Sequence, residues 1–148
     1  MLTINDILYS ADELLKNDDL LYSLRDILRD YDGRDIMAYV NFNDMHYNRF
    51  LVAKSEYSQI LLLCWKKGQS SAFHDHHNNG CIVKIISGSL KEFIYDTKTC
   101  ITSDKISYCN DILYKQGNDI IHKIEPLENL ISLHIYPLLY KLNTYDCE

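Results

Sequence analysis

The segment GQSSAFHDHHNNGCIVKIISG, from Gly68 to Gly88, decides how the rest of this chain is interpreted. His74 and His76 are two residues apart, so on a β-strand their side chains lie on the same side. Two imidazoles from one strand predict half of a metal site. The alternative is a hydrated turn whose histidines bind nothing. The β-rich run that starts at Cys81 ends at Gly88, as suits a tight turn between paired strands.

The spacing within this segment is more specific than the histidine pair. Five residues separate Gly68 from His74, one separates His74 from His76, four precede Cys81, and six lie between Cys81 and Gly88. The pattern resembles the first signature of the cupin superfamily, G(X)5HXH(X)3-4E(X)6G. Cys81 stands where most cupins have a glutamate that binds the metal. The resemblance therefore implies a metal site whose carboxylate ligand is replaced by a thiol.

Composition limits the class of protein. A chain of 148 residues, 47% hydrophobic and 24% charged, is suited to one globular domain. The net charge of −6 and scattered basic residues argue against nucleic acid or an anionic membrane as partner. Five cysteines, without a CxxC pair or a secretory signal, argue against a disulfide scaffold. We therefore expect a soluble, cytoplasmic protein that acts on small molecules, with no nucleic-acid or membrane partner.

The chain divides into a helical and a β-rich part. Apolar residues recur at helical spacing from Ile4 to Tyr31, with an interruption at 16–19, and predict two short amphipathic helices. After Gly33, short apolar or alternating runs are separated by Gly, Asn and Asp. The predicted strands lie at Arg49–Val52, Gln59–Trp65, Cys81–Ile86, Ser89–Tyr95, Asp111–Tyr114, Lys123–Ile124 and Leu130–Tyr136. We predict a mainly β, single-domain protein over 1–148, with helices in 1–32 packed outside a small, jelly-roll-like antiparallel barrel in 33–148.

Two later motifs extend the candidate site. His122 falls where the second cupin motif supplies a metal ligand, although Gly117 and Asp119 stand where Pro and Gly are usual. Without that resemblance, a lone histidine beside isoleucines is more often a hydrogen-bonded structural residue. In the last strand, Ser132, His134 and Tyr136 share one face by the period of two. This face either lines a wet cavity or covers the exterior.

Taken in order, these motifs resemble a known enzyme family from about Asp30 to Tyr136. The matching segments are Tyr47–Val52, Leu62–Trp65, His74–His76 with Cys81, Gly88–Glu92, His122 and Ser132–Tyr136. Together they look like a cysteine dioxygenase. Leu-Cys-Trp and Ser-Leu-His-Ile-Tyr are the most specific of them. The resemblance departs after Tyr136, where Pro137-Leu138-Leu139-Tyr140 replaces a segment with an entrance cysteine, and the chain ends at Glu148 before most of the usual C-terminal strands.

The resemblance implies a mononuclear, non-haem Fe(II) held by three histidines, His74, His76 and His122. Three neutral imidazoles leave the ion its full charge, unlike two histidines and a carboxylate. An anionic thiolate substrate compensates that charge.

The resemblance also implies roles for residues around the iron. Arg49 would bind the substrate carboxylate, with the phenols of Tyr47 and Tyr136 near it. Ser132 and His134 would orient the Tyr136 hydroxyl. Cys81 and Tyr136 are the matching partners of a thioether cross-link found in the eukaryotic type.

The implied reaction converts L-cysteine and O2 to cysteine sulfinic acid, and the enzyme is expected to act as a monomer. One alternative is a dioxygenase for another small thiol such as 3-mercaptopropionate. Arg49 argues against it, because those relatives carry glutamine at that position. A second alternative is a non-catalytic, metal-binding cupin. Retention of Arg49, Ser132, His134 and Tyr136 beside the ligands argues against that one.

Overall fold

The N-terminal quarter of the protein is helical. The computed structural model describes residues 1–138 and 143–145, with α1 at Ile4–Lys16 and α2 at Arg25–Asp30. Thr3 begins α1 through a capping box with Asp6, which satisfies backbone N–H groups that the first turn leaves free. Short 3₁₀ helices lie at Leu21–Leu24 and Arg34–Tyr39, and the second of these was not predicted. In the described part of the chain, no helix is long and apolar enough to cross a membrane.

Within the described residues, ten short strands form two five-stranded antiparallel sheets. Their bounds are β1 Asn48–Lys54, β2 Ser58–Trp65, β3 Phe73–His74, β4 Cys81–Ser87, β5 Ser89–Asp96, β6 Thr102–Tyr108, β7 Ile112–Lys115, β8 Ile120–Pro126, β9 Leu130–Pro137 and β10 Thr144–Tyr145. Sheet I has the order β1-β2-β9-β4-β7, and sheet II has the order β10-β3-β8-β5-β6. All seven predicted strands are present. A strand was also predicted to carry His74 and His76, and β3 corresponds to it but ends at His74. The strands β6 and β10, which are largely polar or short, were not predicted.

The apolar residues form two layers, one on each face of sheet I. The outer layer packs the helices against this sheet and includes Ile7, Leu24, Leu28, Leu62 and Leu133. The inner layer lies between the sheets and includes Leu63, Trp65, Val83, Leu90 and Ile124. Both faces of sheet I are therefore covered, by the helices on the outer side and by sheet II on the inner side.

Lys84, on the outer face of β4, ties the helical layer to sheet I. Its ammonium donates hydrogen bonds to the carbonyl oxygens of Leu28 at 2.7 Å and Tyr31 at 2.5 Å. Leu28 lies in the last turn of α2 and Tyr31 is its C-cap residue, so both carbonyls belong to the helix end where a positive charge is favourable. The lysine can therefore be buried without leaving its charge unpaired.

Gly88 lies where the chain crosses from sheet I to sheet II, between β4 and β5. Its φ is 89°, a value that glycine adopts far more readily than other residues. A Cβ added there would lie 2.3 Å from the carbonyl oxygen of Asn129. The final glycine of the Gly68–Gly88 segment is thus required both by the backbone conformation and by the close approach of a neighbouring loop.

Candidate metal and substrate site

The three predicted ligands come together between the sheets. His74 lies on β3 directly opposite His122 on β8. The ring centroids of His74, His76 and His122 are 4.7 to 4.9 Å apart, and one ring nitrogen from each lies within 4.8 Å of the others. The predicted placement of both His74 and His76 on one strand is wrong, because β3 ends at His74 and His76 follows it outside the strand. Their convergence depends on the path of the chain after β3 and not on strand alternation alone.

Hydrogen bonds determine which nitrogen of two of these rings is available. Nδ1 of His74 lies 2.8 Å from the carbonyl oxygen of Ala72, and Nδ1 of His122 lies 2.7 Å from Oε2 of Glu92. A carbonyl and a carboxylate only accept, so both Nδ1 atoms carry the proton in neutral rings. The two Nε2 atoms, 3.1 Å apart, then present lone pairs to each other. A shared cation relieves that repulsion, and nitrogen atoms bound at about 2.1 Å to one ion lie roughly 3 Å apart.

Burial keeps these rings neutral. It lowers the pKa of His74 to about 4, helped by repulsion from His122. Burial also lowers the pKa of His76 and, despite the opposing effect of Glu92, that of His122. Nδ1 of His76 is buried and has no hydrogen-bond partner among the described residues. The group therefore offers neutral imidazole donors near neutral pH, a donor set that fits a divalent iron or zinc ion.

A buried ion pair adjoins His122 and was missed by the sequence analysis. Glu92, on β5, is 1% exposed, and its Oε2 atom lies 3.1 Å from Nζ of Lys115 on β7. Burial alone would raise the pKa of Glu92, but the His122 hydrogen bond and the charge of Lys115 together lower it. Glu92 had been noted only as part of the Gly88–Glu92 motif. Lys115 has no signal in the sequence, because only the packing of the two sheets brings it to Glu92.

Sheet I carries a chain of hydrogen bonds along β9. Trp65 Nε1 donates to Ser132 Oγ at 3.0 Å, and Ser132 Oγ lies 2.8 Å from Nε2 of His134. Nδ1 of His134 lies 3.0 Å from the Tyr136 hydroxyl. Ser132 and His134 are buried on the cavity face, while Leu133 and Ile135 are buried under the helices. The cavity interpretation of this strand is therefore correct, and Trp65 adds a partner that was not predicted.

Cys81 and Tyr136 are neighbours on the inner face of sheet I, because Ile82 of β4 lies opposite Ile135 of β9 and both side chains line the same cavity. Burial raises the pKa of the Cys81 thiol, although its interaction with Tyr136 opposes that shift. Burial also raises the pKa of Tyr136 well above its usual value, so its hydroxyl stays protonated. The predicted cross-link partners are thus neighbours in space.

Arg49 and Tyr47 complete a cavity of about 210 Å³ that both sheets line, together with the three histidines, Cys81 and Tyr136. Tyr47 stacks on Trp65 with a centroid separation of 4.1 Å. Within the described ranges 1–138 and 143–145, no carboxylate lies within salt-bridge distance of Arg49. The arginine is therefore available to an anionic ligand.

Other predicted features lie outside this cavity or outside the described residues. His46 is exposed and does not line the cavity, and Nδ1 of His77 accepts a hydrogen bond from the Asn79 backbone. Thr144 on β10 lines the cavity, as the sequence analysis had not suggested. Residues 139 and 140, where the resemblance to the family departs, and residue 148 at the chain end lie outside the described residues.

The family model for cysteine dioxygenase type I matches residues 8–148, which is nearly the whole chain. The chain belongs to the cysteine dioxygenase type I family. Among its relatives, cysteine dioxygenase type 1 of Danio rerio is 24% identical over 97% of this chain and 79% of that protein. The Homo sapiens protein of the same name is 27% identical over 90% of this chain and 74% of its own length. The predicted family is therefore confirmed, and with the three-histidine group it makes this cysteine dioxygenase relative a metal-dependent thiol dioxygenase.

Solved structures confirm the predicted fold class of this family member. A Thermus thermophilus protein superimposes with a TM-score of 0.57 at 13% identity, covering 72% of this chain and 98% of that one. A cupin superfamily protein of Desulfitobacterium hafniense has a TM-score of 0.54 at 17% identity, covering 69% and 86%. At these identities the likeness concerns the fold alone, a small cupin barrel.

Proposed function

We propose that this protein is an Fe(II) dioxygenase that converts L-cysteine and O2 to cysteine sulfinic acid. One observation carries the proposal: the three histidines face Arg49 and Tyr136 across a single small cavity. The cavity has a volume of about 210 Å³, which suits a small ligand. The donor set, the substrate anchor and the volume all agree with one small thiol as substrate.

Arg49 would orient the substrate by its carboxylate. Its guanidinium can form two parallel, charge-assisted hydrogen bonds with that group, which sets the direction of the thiol as well as the affinity. The thiol and amine of L-cysteine then point toward His74, His76 and His122. Fe(II), held by those histidines, would supply sites for the thiolate, the amine and O2, so that both oxygen atoms are transferred to sulfur.

Tyr136 would act as a proton donor held in a defined direction. If Ser132 donates to Nε2 of His134, then Nδ1 of His134 donates to the Tyr136 oxygen. The Tyr136 proton is then free to point into the cavity, toward the substrate carboxylate or the developing sulfinate. A positioned phenol lowers the ordering cost at the reacting group.

We also propose that Cys81 and Tyr136 form a thioether during aerobic turnover. A bond would form between Sγ of Cys81 and a ring carbon beside the Tyr136 hydroxyl, with two hydrogen atoms lost to O2 as oxidant. The positions of Cys81 and Tyr136 side by side on β4 and β9, in one cavity, support this proposal. Intact mass after turnover should fall by about two hydrogens in the wild type and remain constant in Cys81→Gly. Cys100→Ser removes an exposed thiol and should keep the loss, while wild-type protein of unchanged mass would reject the cross-link.

The reaction is tested by loading the protein with Fe(II) without oxygen, then adding L-cysteine and O2. Mass spectrometry should detect cysteine sulfinic acid with both added oxygens derived from O2, and His122→Ala should lose this product. His46→Ala, which changes an exposed histidine outside the cavity, should retain it. Faster oxygen uptake with 3-mercaptopropionate than with L-cysteine would reject the substrate, and iron binding without thiol-dependent oxygen uptake would reject the activity.

A further inference from the structure

Lys115 is a charged residue of the cavity that has no part in the proposed reaction. It lies on β7 opposite Cys81 on β4, and its side chain is 18% exposed. Its ammonium lies 3.1 Å from Oε2 of Glu92. The same Oε2 atom lies 2.7 Å from Nδ1 of His122. One carboxylate oxygen therefore receives both the lysine charge and the N–H group of a predicted metal ligand.

A carboxylate as buried as Glu92 requires a countercharge. An unpaired buried carboxylate is strongly unfavourable, while a paired and hydrogen-bonded one is tolerated. Among the described residues, Lys115 is the one lysine or arginine within salt-bridge distance of Glu92. The position of the Glu92 carboxylate thus depends on Lys115.

The ion pair also joins the two sheets. Glu92 belongs to sheet II, as do His74 and His122, whereas Lys115 belongs to the edge strand β7 of sheet I. Arg49 lies on β1, at the opposite edge of sheet I. The lysine therefore reaches from the sheet that would bind the substrate to the sheet that holds the ligands, on the side away from the substrate anchor.

We propose that Lys115 is a positioning residue for the metal site, which holds Glu92 against His122 and thereby keeps Nε2 of that ring directed at the ion. A carboxylate bonded to the outer nitrogen of a ligating histidine sets its tautomer and orientation. The inference rests on the metal site of the proposed function. It adds a residue that acts on the ion through Glu92 and His122.

The test is anaerobic equilibrium binding of Co(II) to the full chain, with the visible spectrum of the bound ion as a second readout. Lys115→Met should shift the spectrum and lower the affinity for Co(II) about 10- to 100-fold. This is the range typical of removing a hydrogen-bond partner that orients a ligating histidine. Lys115→Arg should restore most of both. Lys123→Met is the matched control, because Lys123 is adjacent to His122 but pairs with Glu125 at 3.5 Å.

A double-mutant cycle shows whether Lys115 acts through Glu92. If it does, Lys115→Met should add less than about threefold to the loss caused by Glu92→Gln. Wild-type affinity and spectrum in Lys115→Met, or fully additive losses in the double variant, would overturn the inference. Tight Co(II) binding by a protein whose Fe(II) form does not oxidise L-cysteine would reject the proposed function but leave this role of Lys115 intact. Absence of metal binding by the wild type would overturn both.

Discussion

Each sheet places a buried histidine in the same cavity, but the two histidines are suited to different work. His122 in sheet II and His134 in sheet I are 3% and 4% exposed, and burial lowers the pKa of both. His134 uses both ring nitrogens, one with Ser132 and one with Tyr136. His122 uses only Nδ1 in this way and directs Nε2 at His74. The free ring nitrogen, and not the extent of burial, therefore distinguishes the predicted metal ligand His122 from His134, which links Ser132 to Tyr136.

The largest effects on metal affinity and turnover should come from replacing His122 and His134 in separate variants. His122→Ala should lower metal affinity by more than about 100-fold, because it removes a donor and not only its orientation. His134→Gln should leave metal affinity within a few-fold and lower kcat about 10- to 100-fold, because Tyr136 loses its orientation. Metal titration and turnover measured on both variants check this. Equal loss of metal in both would show that the sheets do not divide the work.

Arg49→Gln tests the substrate role of sheet I alone. Loss of a charge-assisted bond, worth about 1.5–3 kcal/mol, should lower kcat/KM for L-cysteine about 10- to 100-fold with metal affinity unchanged. Lys54→Gln removes a positive charge from the same strand and should have little effect, since Lys54 does not line the cavity. Steady-state kinetics separate the two. An unchanged KM and kcat in Arg49→Gln would exclude it as the carboxylate anchor.

Gly88→Ala tests the connection between the sheets. The added methyl would meet the Asn129 carbonyl oxygen at a positive φ, so we expect a loss of about 2–3 kcal/mol in the free energy of unfolding. Gly68→Ala has a similar φ of 95° but nothing within 4 Å, and should cost only about 1 kcal/mol. Urea unfolding of the metal-free proteins measures both. Equal losses would mean that φ alone, and not the approach of Asn129, determines the requirement.

Acid should modestly lower the free energy of unfolding of the metal-free protein. Because burial lowers the pKa of His74 from 6.5 to about 4, the unfolded chain binds more protons between these values. The contribution of His74 to the free energy of unfolding should therefore be constant above pH 6.5 and fall as the pH decreases toward 4. Thermal unfolding at pH 7, 6 and 5 should show a decline of a few °C that is smaller in His74→Gln. An equal decline in both proteins would contradict the assignment to His74.

The sequence predicted the participants of the site better than their arrangement. His74, His76 and His122 do converge, and His134 and Tyr136 do line the cavity, with Ser132 hydrogen-bonded to His134 behind them. Both patterns are local or family-wide and need no knowledge of packing. The strand β6 was missed because its residues are mostly polar and exposed at the edge of sheet II, which removes the apolar alternation. His76 was placed on a strand that ends two residues earlier.

By itself, the sequence determined the helical and β-rich parts, the ligand residue types, the Gly88 turn and the likeness to a cysteine dioxygenase. These depend on periodicity and spacing along one stretch of chain. Only the tertiary structure decided which ring nitrogens are free and how Lys115 reaches Glu92. The reason is distance along the chain: Glu92 is 30 residues from His122, and His74 is 48 residues from it. No local pattern specifies such pairs, because they form only when distant strands pair within sheet II, and the Lys115–Glu92 pair forms only when the two sheets pack together.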